Sequence, residues 1–114
     1  MRESTPRILT GMHAFDGAGY DAPVSLGVSY SVPADRRAQM IYFRAGNSAP
    51  EMVVVVLMRD GKPMRTFPVG AKGAVHIPLV VIEDLTPETK LELLVAAPSG
   101  TGGMLALDVG LVEI

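Results

Sequence analysis

Residues 24–32 have the sequence VSLGVSYSV, in which apolar and small polar side chains alternate without interruption. The residues Val24, Val28 and Val32 share one parity, whereas Ser25 and Ser29 have the other. A period of two is typical of a β-strand that has one face against a core and the other in water. This stretch therefore predicts a half-buried strand, and it decides the fold class.

The same period recurs towards the C-terminus. Leu105, Leu107, Val109 and Leu111 share one face, and Ala106, Asp108 and Gly110 share the other. Val75, Ile77 and Leu79 likewise alternate with His76 and Pro78, and a proline inside a strand indicates an edge or a bulge. Asp60-Gly61 predicts a hairpin after the apolar run 52–58, because glycine takes the positive φ that tight turns need.

These segments predict an all-β domain of seven to eight short strands separated by turns. The segment 83–90 contains a weak helix signal at Thr86-Pro87-Glu88, and we expect a loop or a single helical turn there. With no alternation of strands and long helices, a two-sheet antiparallel sandwich is the expected packing. A jelly-roll is favoured over an immunoglobulin-like topology, because the chain has neither Cys nor Trp to form an immunoglobulin core.

The 114 residues suffice for one core, so residues 1–114 are predicted to form a single domain, with residues 1–6 as a flexible or partner-contacting arm. The chain has 0 Cys, which fits a reducing compartment. It has no apolar run of signal-peptide or membrane-spanning length. A cytoplasmic location is therefore expected.

The charge is nearly balanced, with 10 basic and 12 acidic residues and a net charge of -2. Nucleic acids and anionic membranes are bound by concentrated positive charge, which this chain lacks. The sequence therefore predicts neither a nucleic-acid partner nor a membrane partner.

Patterns that carry catalysis are absent from the sequence. His13 and His76 are the two histidines, 63 positions apart, and a His-ligated metal would need both to converge with carboxylates. The sequence has no G-x-S-x-G motif, and Gly17-x-Gly19 has no following helix pattern for phosphate binding. The chain is therefore predicted not to be an enzyme and to need no cofactor, and His76 is expected to face solvent or an interface.

The segment 13–21, HAFDGAGYD, is the most site-like stretch. We expect it to be a glycine-rich loop that presents His13, Asp16, Tyr20 and Asp21 to a small ligand. Calcium would use the carboxylate oxygens, and a carbohydrate would use the aromatic rings. The alternative is that the glycines only make turns, while Phe15 or Tyr20 closes the end of the sandwich.

Several strands are apolar on both faces, although a sandwich has only one interior. Residues 53–58, 79–82, 93–97 and 104–107 have this pattern. The predicted outward-facing interface residues are Val54, Val56, Met58, Val80, Leu94, Met104 and Ala106. A monomer rarely exposes a large contiguous apolar patch. We therefore predict a non-catalytic assembly or interaction module, either a homo-oligomer or a subunit on a larger protein partner, with ligand binding at 13–21 as the alternative.

Overall fold

The computed structural model describes residues 3–79 and 84–114. This part of the chain forms nine strands: β1 (Thr5–Asp16), β2 (Gly19–Ser31), β3 (Ala38–Asn47), β4 (Val53–Arg59), β5 (Lys62–Val69), β6 (Ala74–Pro78), β7 (Asp84–Leu85), β8 (Lys90–Ala97) and β9 (Gly102–Glu113). None of the described residues forms a helix long and apolar enough to cross a membrane.

The strands form two sheets, and their described pairings are all antiparallel. Sheet A has the order β1-β9-β3-β6, with β7 also paired to β3, and sheet B has the order β2-β8-β4-β5. The eight main strands thus divide four and four, with most chain connections passing from one sheet to the other. This is the jelly-roll arrangement, and the predicted fold class is confirmed.

The interior lies between the sheets and is filled by the alternate residues that the sequence pattern marks. Leu105, Leu107, Val109 and Leu111 of β9 are all buried. Phe43 of β3 and Phe67 of β5 stack across the interior with centroids 4.1 Å apart. The period-two prediction for β2 and β9 is therefore confirmed.

The predicted turn at Asp60-Gly61 joins β4 to β5. Both residues have positive φ, 49° and 80°, which the twist of a two-residue hairpin requires. Pro78 ends β6, whose place at the end of the strand order makes it an edge strand, as predicted.

β1 lies in a part of the chain where the sequence pattern indicated no strand. It pairs with β9 from Thr5 to Asp16, and its first two residues fall within the predicted arm 1–6. Residues 13–21 are not a loop, because β1 extends to Asp16 and β2 begins at Gly19. The sequence signal was weak because β1 carries apolar side chains on both of its faces, so its two faces differ little in polarity.

Candidate functional site: the outer face of sheet A

The outer face of sheet A carries an unusual concentration of exposed apolar side chains. Ile8 and Met12 on β1 have exposed fractions of 60% and 68%, and Met104 on β9 has 36%. In the β1–β9 register, Met12 lies opposite Ala106 and Ala14 lies opposite Met104. Met12, Ala14, Met104 and Ala106 are neighbours on this face, and Ile8 lies beyond the Thr10–Asp108 pair. We call these residues the apolar strip: Ile8, Met12, Ala14, Met104 and Ala106.

Four polar or aromatic side chains lie beside the strip, and we call them the polar cluster: Tyr42, Arg44, His76 and Asp108. Asp108, Arg44 and His76 lie directly opposite one another on β9, β3 and β6. The Tyr42 hydroxyl donates to Asp108 Oδ1 at 2.8 Å, and Arg44 Nη1 lies 3.7 Å from Asp108 Oδ2. The Tyr42 and His76 rings meet edge to face, with centroids 5.9 Å apart. Three neighbouring strands are thereby joined on their solvent side.

Gly110 explains the position of the Tyr42 ring. A Cβ atom at residue 110 would lie 2.0 Å from Tyr42 Cε2 and 2.7 Å from Cζ. Since these distances are far below contact, the ring occupies the space above the glycine and covers the β9 backbone. Only glycine at this position allows that close approach.

A shallow depression of about 400 Å³ lies next to the polar cluster. Gly46, Ala74 and Ala106 line it with little or no side chain, whereas Arg44, His76 and Asp108 supply its polar groups. The depression exists because three adjacent strands carry small residues in one row, Gly46 lying opposite both Ala74 and Ala106.

The hydrogen bond to Asp108 raises the pKa of the Tyr42 phenol, and partial desolvation and the negative charge of Asp108 add to the effect. The phenol therefore stays protonated and acts as a donor. The cluster offers a guanidinium, a carboxylate and a phenol within a few ångströms, which suits hydrogen-bonded recognition.

The four predicted ligand residues do not converge on one point. His13 and Asp16 lie on β1 of sheet A, whereas Tyr20 and Asp21 lie on β2 of sheet B. His13 is half-buried on the inner side of β1, opposite the buried Leu105. Among residues 3–79 and 84–114, no group of three or more His, Asp or Glu side chains could hold a metal ion.

The alternative interpretation of this segment agrees with several contacts. Phe15 is buried in the core, and the Tyr20 hydroxyl donates to the Met52 carbonyl at 2.7 Å. Gly17 fits tightly against the β8–β9 turn: its N–H donates to the Thr101 carbonyl at 2.7 Å, and a Cβ would lie 2.3 Å from the Pro98 carbonyl. The segment thus closes one end of the sandwich.

The predicted interface residues lie on two opposite faces. Met104 and Ala106 lie in the apolar strip of sheet A, whereas Val54, Val56, Met58 and Leu94 lie on the outer face of sheet B. Val80 is outside the described residues. Val56 has an exposed fraction of only 7%, because its cross-strand neighbours Thr66 and Leu94 flank it. These residues therefore do not share one face, because the strand order separates β4 and β8 from β9.

Ile8 and Met12 were missed by sequence reasoning, and so was the polar cluster. A single signal was available for the cluster, namely a glycine inside the strongly apolar final strand, which indicates close approach of another group. No comparable signal marked Ile8 or Met12.

Comparisons with known proteins bear on the fold. No protein-family model matches the chain, and no curated protein matches it. Among solved structures, the chain is similar to the CBM36-1 domain, a carbohydrate-binding module of a multidomain xylanase from the hindgut metagenome of Trinervitermes trinervoides. The TM-score is 0.59 and the sequence identity is 16%, and the match covers 95% of this chain and 96% of that chain. This similarity supports the β-sandwich fold.

The chain is also similar to part of a protein in the structure of the infectious bursal disease virus Gt strain. The TM-score is 0.48 and the identity 14%, over 95% of this chain and 32% of that chain.

Proposed function

We propose that this protein is a non-catalytic interaction module that self-associates through the apolar strip of sheet A. The observation that carries the proposal is the 68% exposure of Met12, diagonally across from Met104, with Ile8, 60% exposed, on the same face further along β1. Large apolar side chains that are contiguous on a surface mark sites of protein association.

The surroundings of the strip favour a protein partner. Met, Tyr and Arg are enriched in protein interfaces, and Tyr42 and Arg44 lie beside the strip. The strip itself contains no charged side chain, and Asp108 beside it is paired with Arg44, so contact with a second apolar surface would not bury an unpaired charge. A second copy of the chain supplies such a surface, and closed two-fold symmetry is the commonest arrangement.

The absolute mass by light scattering, measured across a range of concentrations, tests the proposal. We expect a dimer that the substitution Met12→Lys converts to a monomer, because the lysine would place a charge against the apolar side chains of the contact. Ser29→Lys is the matched control: Ser29 is exposed on the outer side of sheet B, and a lysine there should leave the dimer intact. A wild-type monomer at every concentration, with melting curves showing folded protein, would contradict self-association.

A second candidate function rests on a separate observation, the depression beside the polar cluster. The Tyr42 ring seated on Gly110 and the paired charges of Arg44 and Asp108 suit a neutral, hydroxyl-rich ligand, because the charges largely cancel. A carbohydrate is such a ligand, and the CBM36-1 domain is a carbohydrate-binding module with a similar fold. Calcium is not part of this candidate.

Titration with xylohexaose and cellohexaose, followed by NMR chemical shifts, tests this second candidate. We expect shifts at Gly46, Ala74 and Ala106 that are lost in Arg44→Ala. Arg65→Ala on sheet B is the control that keeps them. Shifts spread over both sheets, or none at all, would rule out the depression as the binding site.

A further inference from the structure

Three of the four strands that end the two described strand orders carry features that discourage pairing with another chain. β5 contains Pro63 and Pro68, and β6 is five residues long and ends at Pro78. β2 contains Pro23, and its pairing with β8 is interrupted by two register shifts. Prolines, short length and bulges are the devices by which natural sheets protect their edges.

β1 differs from these three strands. It is twelve residues long and pairs with β9 at every position from Thr5 to Asp16 without a register shift. It contains no Lys, its one proline, Pro6, lies at its second position, and the charge of Arg7 is paired with Glu113 of the same chain. β9 is its one neighbour in the described sheet, so its other side has no strand against it. A long, regular edge of this kind is a template for another strand.

We infer that β1 pairs antiparallel with β1 of a second copy, so that the two copies of sheet A form one continuous sheet around a two-fold axis. This inference rests on the proposed self-association and specifies its geometry. The second copy fits because an antiparallel strand pair is self-complementary: each strand offers the donors and acceptors that the other needs.

The exposed side chains select the register. A two-fold axis that relates two antiparallel neighbouring strands of one sheet is perpendicular to the sheet. Each outer-face residue of one copy must therefore lie directly opposite an outer-face residue of the other copy. The central registers that satisfy this condition place the axis at Leu9, Thr10 or Gly11. An axis at Thr10 places Ile8 of each copy opposite Met12 of the other, so the contact contains two such pairs. Directly opposite apolar pairs stabilise a sheet, so we assign the axis to Thr10.

Single-cysteine variants test the register, because the chain has 0 Cys of its own. With the axis at Thr10, the two residues 10 face each other at disulfide distance, and Thr10→Cys is expected to be converted largely to a covalent dimer under mild oxidation. Ala14→Cys is the control on the same strand and face. Its two copies would be roughly 26 Å apart at about 3.3 Å per residue, so no disulfide is expected. A mixture of Ile8→Cys and Met12→Cys is expected to crosslink more readily than either variant alone.

The outcomes separate the inference from the proposed function. A dimer by light scattering in which Met104→Cys crosslinks and Thr10→Cys does not would overturn the edge pairing, because the contact would then be face to face, and self-association would stand. A monomer without crosslinks in any variant would overturn both. Amide hydrogen exchange of β1 on the wild type provides a second measurement: edge pairing is expected to protect the amides facing away from β9, and dilution to remove that protection.

Discussion

The Tyr30 hydroxyl on β2 donates a hydrogen bond to the Glu113 carboxylate on β9, and it links sheet B to sheet A across the interior. Glu113 has an exposed fraction of only 3%, and its other oxygen lies 3.2 Å from Arg7 Nε on β1. Burial, together with the bond to Glu113, raises the pKa of Tyr30, so the phenol remains a donor. A buried carboxylate is tolerated here because both of its oxygens have partners.

Tyr30→Phe is expected to lower the free energy of unfolding by about 1–3 kcal/mol, because it leaves one oxygen of a buried carboxylate without a donor. Urea denaturation at neutral pH measures the loss. Tyr20→Phe is the matched control: the Tyr20 hydroxyl bonds to Met52 at an exposed site, so its removal should cost much less. Equal losses of unfolding free energy in the two variants would show that the bond to Glu113 stabilises the sandwich no more than the exposed Tyr20 bond does.

Glu113 also predicts a pH dependence. The hydrogen bond from Tyr30 lowers the pKa of Glu113 below its ordinary 4.5, although burial opposes this. Arg7 lowers the same pKa further, through its hydrogen bond and its positive charge. Since the folded pKa lies below the unfolded one, the stabilisation is present above 4.5 and is lost as the pH falls through the folded pKa. Urea denaturation at about pH 6 and about pH 3 should therefore show a loss that Glu113→Gln reduces. An equally steep loss in the variant would assign the effect to other carboxylates.

Gly110→Ala is expected to displace the Tyr42 ring, because the added methyl would overlap three ring atoms. The hydrogen bond to Asp108 would then break, and the pKa of Tyr42 would fall towards its ordinary 10.0. NMR titration of the tyrosine ring carbons measures this shift. Gly46→Ala is the control on the same face, since its Cβ would meet only Ala106 at 3.9 Å. An unchanged Tyr42 titration in Gly110→Ala would argue against the seated ring.

Asn47 connects two turns at the end of the sandwich. Its side-chain amide donates to the carbonyls of Glu51 and Gly70, at 2.9 and 3.2 Å, and its Oδ1 accepts from the Ala49 N–H at 2.9 Å. Asn47→Ala should destabilise the fold by about 2–3 kcal/mol, because buried backbone groups would lose their partners. Thermal and urea denaturation test this. Ser48→Ala removes only the exposed hydroxyl that accepts from the Met104 N–H. It should lower the free energy of unfolding by less than about 1 kcal/mol.

Strands whose two faces differ in polarity were predictable from the sequence. In β2 and β9 the inward and outward residues differ in polarity or size, and the Asp60-Gly61 hairpin follows from the φ requirement of its turn. β1 gave no such contrast, because Ile8 and Met12 point outward while Leu9 and Phe15 point inward. A period-two signal requires one polar face, and β1 lacks it.

The site was less predictable than the fold, because it depends on strand order. Arg44 and Asp108 are 64 positions apart, by subtraction of their numbers, and meet only because β3 lies beside β9. Periodicity indicates which face a residue occupies within its strand, but it does not indicate which strands are neighbours. For the same reason, Leu94 and Met104 both match an outward apolar pattern, yet they lie on opposite sides of the sandwich.

The perpendicular two-fold axis at Thr10 has a consequence for valency. Both copies of the depression beside Arg44 and Asp108 would open on the same side of the continuous sheet. One dimer could therefore bind a repetitive polymer at two sites simultaneously. Tethering of this kind raises overall avidity well above the affinity of either depression, provided that the spacing of the repeats matches that of the sites. Weak individual contacts at a shallow surface would then suffice for firm attachment.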